Sequence, residues 1–141
     1  QNVRVTGQVR SYNKLIDGAS HLIVTVFAKR LEFLSAQTPC HNEILLSGYV
    51  CKPPTYRKTP FEREITDLLL AVNRAYHKSD YLPCIAWGKT ARFASHLKVG
   101  AHIRIKGRMQ SRAYEKTYPT GETALKTAYE ISIAQLEVLP E

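Results

Sequence analysis

Aspartate is scarce in this chain. Asp17, Asp67 and Asp80 are the only ones in 141 residues, and no pair or D-x-D spacing among them could hold the Mg²⁺ of a nuclease or polymerase. Cysteine is equally rare: Cys40, Cys51 and Cys84 are odd in number and lack C-x-x-C spacing, which fits a reducing compartment better than a disulfide scaffold. His21, His41, His77, His96 and His102 are scattered without i,i+4 or H-x-x-x-C spacing, so neither a metal site nor a cofactor is expected. Long apolar runs are missing as well. The longest, Leu68 to Val72, has the length of a strand and falls far short of the ~20 residues of a membrane span. No G-x-x-x-x-G-K-[ST] loop offers to cradle ATP, and in the adjacent pairs Ser20-His21 and Ser95-His96 the side chains point apart, which denies a nucleophile its base. These absences argue against an enzyme, a small-molecule substrate and a membrane partner. With no basic, apolar leader at the start, a cytoplasmic setting is expected.

What is abundant is positive charge. Twenty Lys and Arg against 12 Asp and Glu give a formal net charge of +8, a surplus that suits a polyanionic partner. It is unevenly placed: residues 41–112 hold 13 basic and 5 acidic side chains, whereas residues 113–141 hold 2 and 5. The middle of the chain is therefore the expected contact surface, against the plainer reading that the charge only maintains solubility.

Period-two alternation dominates, filled by β-branched and aromatic residues, and predicts an all-β fold. Asn2 to Tyr12 alternates Val3, Val5, Gly7 and Val9 with Arg4, Thr6, Gln8 and Arg10; Asp17-Gly18 supplies turn chemistry, and His21 to Phe33 returns as the second arm of a hairpin. Further strands are expected over 43–51, ended by Pro53-Pro54, then over 61–75, 81–88, 102–114 and 123–139, with a turn around His77 to Asp80. Ala91, Ala94 and Leu97 have the spacing of one short helix over 90–97, between the third and fourth of these strands. Five strands with a single helix at that point are the order of an OB-fold barrel, which uses up its own edges. The domains are thus residues 1–36, an N-terminal β-hairpin; 37–41, a linker; and 42–139, the OB-fold.

The chain also repeats itself. A shift of 100 lays Val3-Arg4-Val5-Thr6-Gly7-Gln8-Val9-Arg10-Ser11 on Ile103-Arg104-Ile105-Lys106-Gly107-Arg108-Met109-Gln110-Ser111, and a shift of 105 lays Leu31-Glu32-Phe33-Leu34 on Leu136-Glu137-Val138-Leu139. The hairpin therefore resembles the last two strands of a second barrel. As the chain opens at Gln1, the expectation is a fragment of a longer two-barrel protein; the alternative is a native hairpin packed on the barrel. Two strands alone are marginal in water, so in either case the hairpin must dock on something.

Single-stranded nucleic acid is held where basic side chains neutralise phosphates beside flat rings on which bases stack. In the strand after the His77 turn, Leu82, Cys84 and Ala86 share the parity expected to fill the barrel, which leaves Tyr81, Ile85 and Trp87 on the other. In the next strand Ile103, Ile105 and Met109 are expected to point inward, with Arg104, Lys106, Arg108, Arg112 and Tyr114 outward. Tyr76 sits in the turn beside Arg74 and Lys78. Tyr49, Tyr56, Phe61, Phe93 and Tyr129, whose neighbours are aliphatic, read as core or rim packing.

Several blocks occur in one unbroken order: Asn42-Glu43-Ile44-Leu45-Leu46-Ser47-Gly48-Tyr49, Pro54-x-Tyr56-Arg57-x-Thr59, Leu70-Ala71-Val72-Asn73-Arg74, Ala86-Trp87-Gly88-Lys89, Val99-Gly100 and Gly107-Arg108-Met109-Gln110-Ser111-Arg112-x-Tyr114. Across residues 42–139 they resemble the bacterial single-stranded DNA-binding protein family. The resemblance implies an OB-fold and sequence-tolerant binding of single-stranded DNA in replication, recombination or repair. It also implies a homo-oligomer, dimer or tetramer. By it, the base-stacking aromatics fall on Tyr76, Tyr81, Trp87 and Tyr114, and phosphate-contacting groups on Arg57, Lys89 and Arg112. Parity and charge add Arg74, Lys78, Arg104 and Arg108. Two positions often Trp in the family are Tyr here, which keeps stacking on a smaller ring. The rival readings are a primosome-type OB protein that acts mainly through protein–protein contacts with weak nucleic-acid binding, and an RNA-binding module of cold-shock type, against which the order of the blocks argues.

Overall fold

The structure is a computed structural model and describes residues 2–140. Strands β1 (Asn2–Ile16) and β2 (Ala19–Leu34) form an antiparallel hairpin of their own. After it come β3 (Ile44–Val50), β4 (Thr55–Lys58), β5 (Glu64–Arg74), β6 (Lys78–Trp87), helix α1 (Gly88–Ala94), β7 (His102–Thr117) and β8 (Thr123–Val138). The sheet runs β3-β7-β8-β6-β5-β4, and β3 also pairs with β5 through Tyr49↔Ala71 and Val50↔Leu70. That pairing closes five strands into a barrel. β6 and β8 lie parallel and every other pair is antiparallel, which is the OB arrangement expected from the order of elements.

The barrel closes because the inward parity of each long strand is aliphatic. Val50, Leu68, Leu70, Leu82, Cys84, Ala86, Ile103, Ile105, Ile131 and Ile133 are buried together, each larger side chain contributing about 1.5–3 kcal/mol. Helix α1 plugs one end with Ala91 and Ala94, and the Thr66 hydroxyl donates to the Ala91 carbonyl at 2.6 Å, tying helix to strand.

Three details differ from the pattern-based reading. Four residues after Pro53-Pro54 form β4, an edge strand on β5 too short to show alternation. Helix α1 begins at Gly88, with Leu97 following it as a partly buried residue. The turn between β5 and β6 is the tip around Tyr76 and His77, so Asp80, expected in a turn, lies within β6 and is fully buried. Both tip residues have left-handed backbones, φ 64° and 59°, without the Gly or Asn that marks such a turn in sequence.

The two hairpins share a register defect. The pairing slips between Thr6 and Gly7, leaving Lys29 of β2 unpaired; it slips again between Lys106 and Gly107, leaving Ala134 of β8 unpaired. Under the shifts of 100 and 105 these are the same two positions. At Gly7 and at Gly107 a Cβ would run into the carbonyl oxygen facing it, that of Phe27 and that of Ser132, again equivalent residues. A bulge of this kind bends a strand around a barrel corner, and glycine is the residue that lets the chains approach.

The hairpin docks by its middle. Val9 and Val24 pack against the barrel core, and Ser11 is buried against β6. Outside that contact it stands clear: Val5 towards the open end is 48% exposed and Val26, paired with Val9, is 52% exposed, whereas their repeat equivalents Ile105 and Ile131 are 0% and 1%.

Candidate nucleic-acid interface

Directly paired residues face the same side of a sheet, so the register fixes the make-up of the outer face. Trp87 pairs with Ile65, which pairs with Arg57; Ile85 pairs with Asp67 and with Ser132, which pairs with Arg108. On β7 the same parity carries Arg112 and Tyr114, and on β6 it carries Tyr81. One outer surface over β7, β8, β6, β5 and β4 thus holds Tyr81, Trp87, Tyr114, Arg57, Arg108 and Arg112. Tyr81 and Tyr114 are 39% and 40% exposed and Trp87 is half-buried, its indole Nε1 donating to the Ser132 hydroxyl at 3.0 Å. Ile85 shares their parity yet is fully buried. Tyr76 stands apart at the β5–β6 tip, almost entirely in solvent.

The cations divide by what already holds them. Asp80 is buried; its Oδ2 accepts from Arg74 Nε at 2.6 Å and its Oδ1 from the Ser11 amide at 2.9 Å. Glu130 is nearly buried and accepts from Arg112 Nε at 2.9 Å, which raises the Arg112 pKa chiefly through that hydrogen bond. Removing a partner from such a pair strands a buried charge, so these two arginines are anchors first. Arg112 keeps guanidinium donors to spare. Arg57 to Asp67, 3.0 Å, and Arg104 to Glu137, 3.5 Å, are exposed pairs worth at most about 1 kcal/mol, within reach of exchange for a phosphate. Among the described residues no carboxylate lies within ion-pair distance of Lys78, Lys89 or Arg108.

Sequence reasoning passed over Arg63, whose guanidinium lies 5.9 Å from the centre of the Trp87 ring. Only the turn between β4 and β5 brings them together, and no spacing signals that. Of the aromatics read as packing, none enters the core: Tyr49 stacks on His102 with ring centres 4.4 Å apart, and Tyr56, Phe61, Phe93 and Tyr129 are exposed. No three His, Cys, Asp or Glu come together in metal-binding geometry among the described residues, and none of their helices is long and apolar enough to cross a membrane.

A closed OB barrel with rings and cations on one outer face defines the general class. Residues 41–139 match the model of the Single-strand binding protein family, and the chain belongs to that family. It is 36% identical over 81 residues to the single-stranded DNA-binding protein of Bacillus cereus, an alignment that covers 52% of this chain and 48% of that one. Single-stranded DNA-binding protein B of Bacillus subtilis is 33% identical over 81 residues, covering 52% and 72%. This chain thus spans about half the length of several curated relatives that it matches. In fold it is similar to the crystal structure of a deletion mutant of the single-stranded DNA binding protein from Thermus aquaticus. The TM-score is 0.80 at 24% identity, with 99% of this chain and 60% of that chain covered. The wild-type protein gives 0.79 at 23% identity.

Proposed function

We propose that this chain binds single-stranded DNA with little regard for sequence, its bases stacking on Trp87, Tyr81 and Tyr114 and its phosphates held by Lys89, Arg108, Arg57 and the spare donors of Arg112. The single observation that carries this reading is the shared outer face of those residues, which follows from the strand register. Tyr76, with Lys78 beside it, extends the track at the β5–β6 tip. Arg104 and Arg74 belong to it less directly: Arg104 lies further along β7 and Arg74 sits beneath the hairpin junction. Family membership, and relatives whose names state single-stranded DNA binding, support the same reading; we place that binding in replication, repair or recombination in the cytoplasm.

We infer further that β1 and β2 are the closing strands of a second OB barrel, the rest of which lies outside these residues. The shared bulge, the paired glycines and the exposed apolar ends support this. A dimer or tetramer of such units is the expected assembly. A second reading, an OB protein that works mainly through protein contacts, draws on Arg57, Arg74, Arg104 and Arg112, each already bound to a carboxylate.

The test is anisotropy of labelled oligo-dT with Trp87→Ala and Tyr114→Ala. Each substitution should weaken binding by about 1–3 kcal/mol while circular dichroism stays native. Unchanged affinity would pass the lead to the protein-contact reading.

A further inference from the structure

Strand β6 is covered unequally along its length. β5 pairs with all of it, from Lys78 to Trp87, but on the opposite edge β8 joins only at Cys84 and Ile85. Among the described residues no strand pairs with that edge before Cys84. Alternate residues of a strand direct their amides to the same edge, so Tyr81, Pro83 and Ile85 all face this one. Pro83 has no N–H to satisfy, whereas the Tyr81 amide needs a partner.

That partner comes from the N-terminal hairpin. The Tyr81 amide donates to the Ser11 hydroxyl at 2.7 Å, and the Ser11 amide donates in turn to Oδ1 of the neighbouring Asp80 at 2.9 Å. Asp80 is buried, and its other oxygen accepts from Arg74 Nε across the base of the β5–β6 tip. Ser11 is itself buried and pairs with Val24, which packs against the barrel core, so the hydroxyl is delivered by the docked face of the hairpin. Two side chains, those of Ser11 and Asp80, thus stand in for the ladder hydrogen bonds that a neighbouring strand would make.

Resting on the proposed binding of single-stranded DNA, we propose that Ser11 is a positioning residue for that site: from the hairpin it holds the open edge of β6, so that the Tyr81 ring is set in place for a base before the strand arrives. A stacking platform held in advance spares the ordering that a loose one must undergo on binding. The interface is therefore not confined to the barrel of residues 42–139. The hairpin contributes to it without touching DNA, through a residue 70 positions away from the ring that it steadies.

Ser11→Ala removes the hydroxyl but keeps the amide that Asp80 accepts from. Anisotropy of labelled oligo-dT should show affinity falling about threefold to tenfold, with the salt slope unchanged because no phosphate contact is lost. In a Tyr81→Ala background the same substitution should cost nothing further, since the hydroxyl acts through that ring. Ser11→Thr and Ser11→Val have nearly the same shape and differ in the hydroxyl, so the first should bind like wild type and the second like Ser11→Ala. Equal affinities for wild type, Ser11→Ala and Ser11→Val would overturn the positioning role and leave general binding intact. A loss equally large in the Tyr81→Ala background, or a Tyr81→Ala variant that binds like wild type, would also overturn it. So would unfolding of both Ser11→Ala and Ser11→Val, which would make Ser11 a residue of the fold alone. If the wild-type protein does not bind oligo-dT, the broader reading fails together with this one.

Discussion

The Ser11 amide and the Asp80 carboxylate meet at 2.9 Å across 69 residues of chain, and through them the N-terminal hairpin is fastened to the barrel. The contact is doubled. The Ser11 hydroxyl accepts from the Tyr81 amide at 2.7 Å, so one serine satisfies both the carboxylate and the backbone of β6. Asp80→Ala should therefore cost about 3 kcal/mol, because it leaves Arg74 without its partner and the Ser11 amide without an acceptor. Hydrogen exchange should show the loss first in residues 2–34. Uniform destabilisation with the hairpin still protected would mean that Val9 and Val24 alone hold it.

The β5–β6 tip carries strain that its residues do not relieve. Two consecutive left-handed residues suit Asn-Gly and not Tyr-His. Tyr76→Asn together with His77→Gly should stabilise the fold by about 1–2 kcal/mol in thermal melts and at the same time weaken oligo-dT binding through loss of the Tyr76 ring. A gain of stability with unchanged binding would remove Tyr76 from the site.

Burial pushes the Cys84 thiol well above its ordinary value of 9.0, with the Glu130 charge adding to the effect. A group whose folded pKa is raised contributes stability that is complete below the unfolded value. As pH rises past 9, the unfolded chain releases the proton while the folded one retains it, so stability should fall at up to about 1.4 kcal/mol per pH unit from this group. Denaturant melts of wild type and Cys84→Ala from pH 8 to 10 would expose it as a shallower slope in the variant. In the native protein, alkylation should label the exposed Cys40 quickly and Cys84 only after unfolding.

Arg112 has two tasks that can be separated. Arg112→Met should leave Glu130 buried without its cation and cost about 2–3 kcal/mol of stability. Arg112→Met with Glu130→Gln should recover most of that loss but not the salt dependence of DNA binding, which loses about one phosphate contact. If the double variant binds with the wild-type salt slope, Arg112 serves the fold alone.

Much of this molecule was legible in the sequence because a barrel wall writes its register plainly. Leu82-Cys84-Ala86 and Ile103-Ile105 alternate with polar or aromatic neighbours, so the inward face and the outward positions of Tyr81, Trp87 and Tyr114 follow from parity. The repeat of Gly7 at Gly107 made the hairpin resemble the last two strands of a barrel, and the two share the same bulge. Illegible features depend on long-range pairing. Nothing near Arg57, Arg74, Arg104 or Arg112 in sequence announces Asp67, Asp80, Glu137 and Glu130 as their partners, because those carboxylates arrive on other strands or across a turn. Four-residue β4 is too short for periodicity, and the Tyr76-His77 turn lacks the glycine that would have located it.

Trp87 is the chain's only tryptophan, so its fluorescence reports on one place in the outer face. Titration with oligo-dT at low salt should quench that emission strongly, and added salt should reverse the quenching with a linear fall of log affinity against log salt concentration, as phosphate neutralisation requires. Emission left unchanged by saturating oligo-dT at low salt would contradict the central claim that a single strand lies across this face of the barrel.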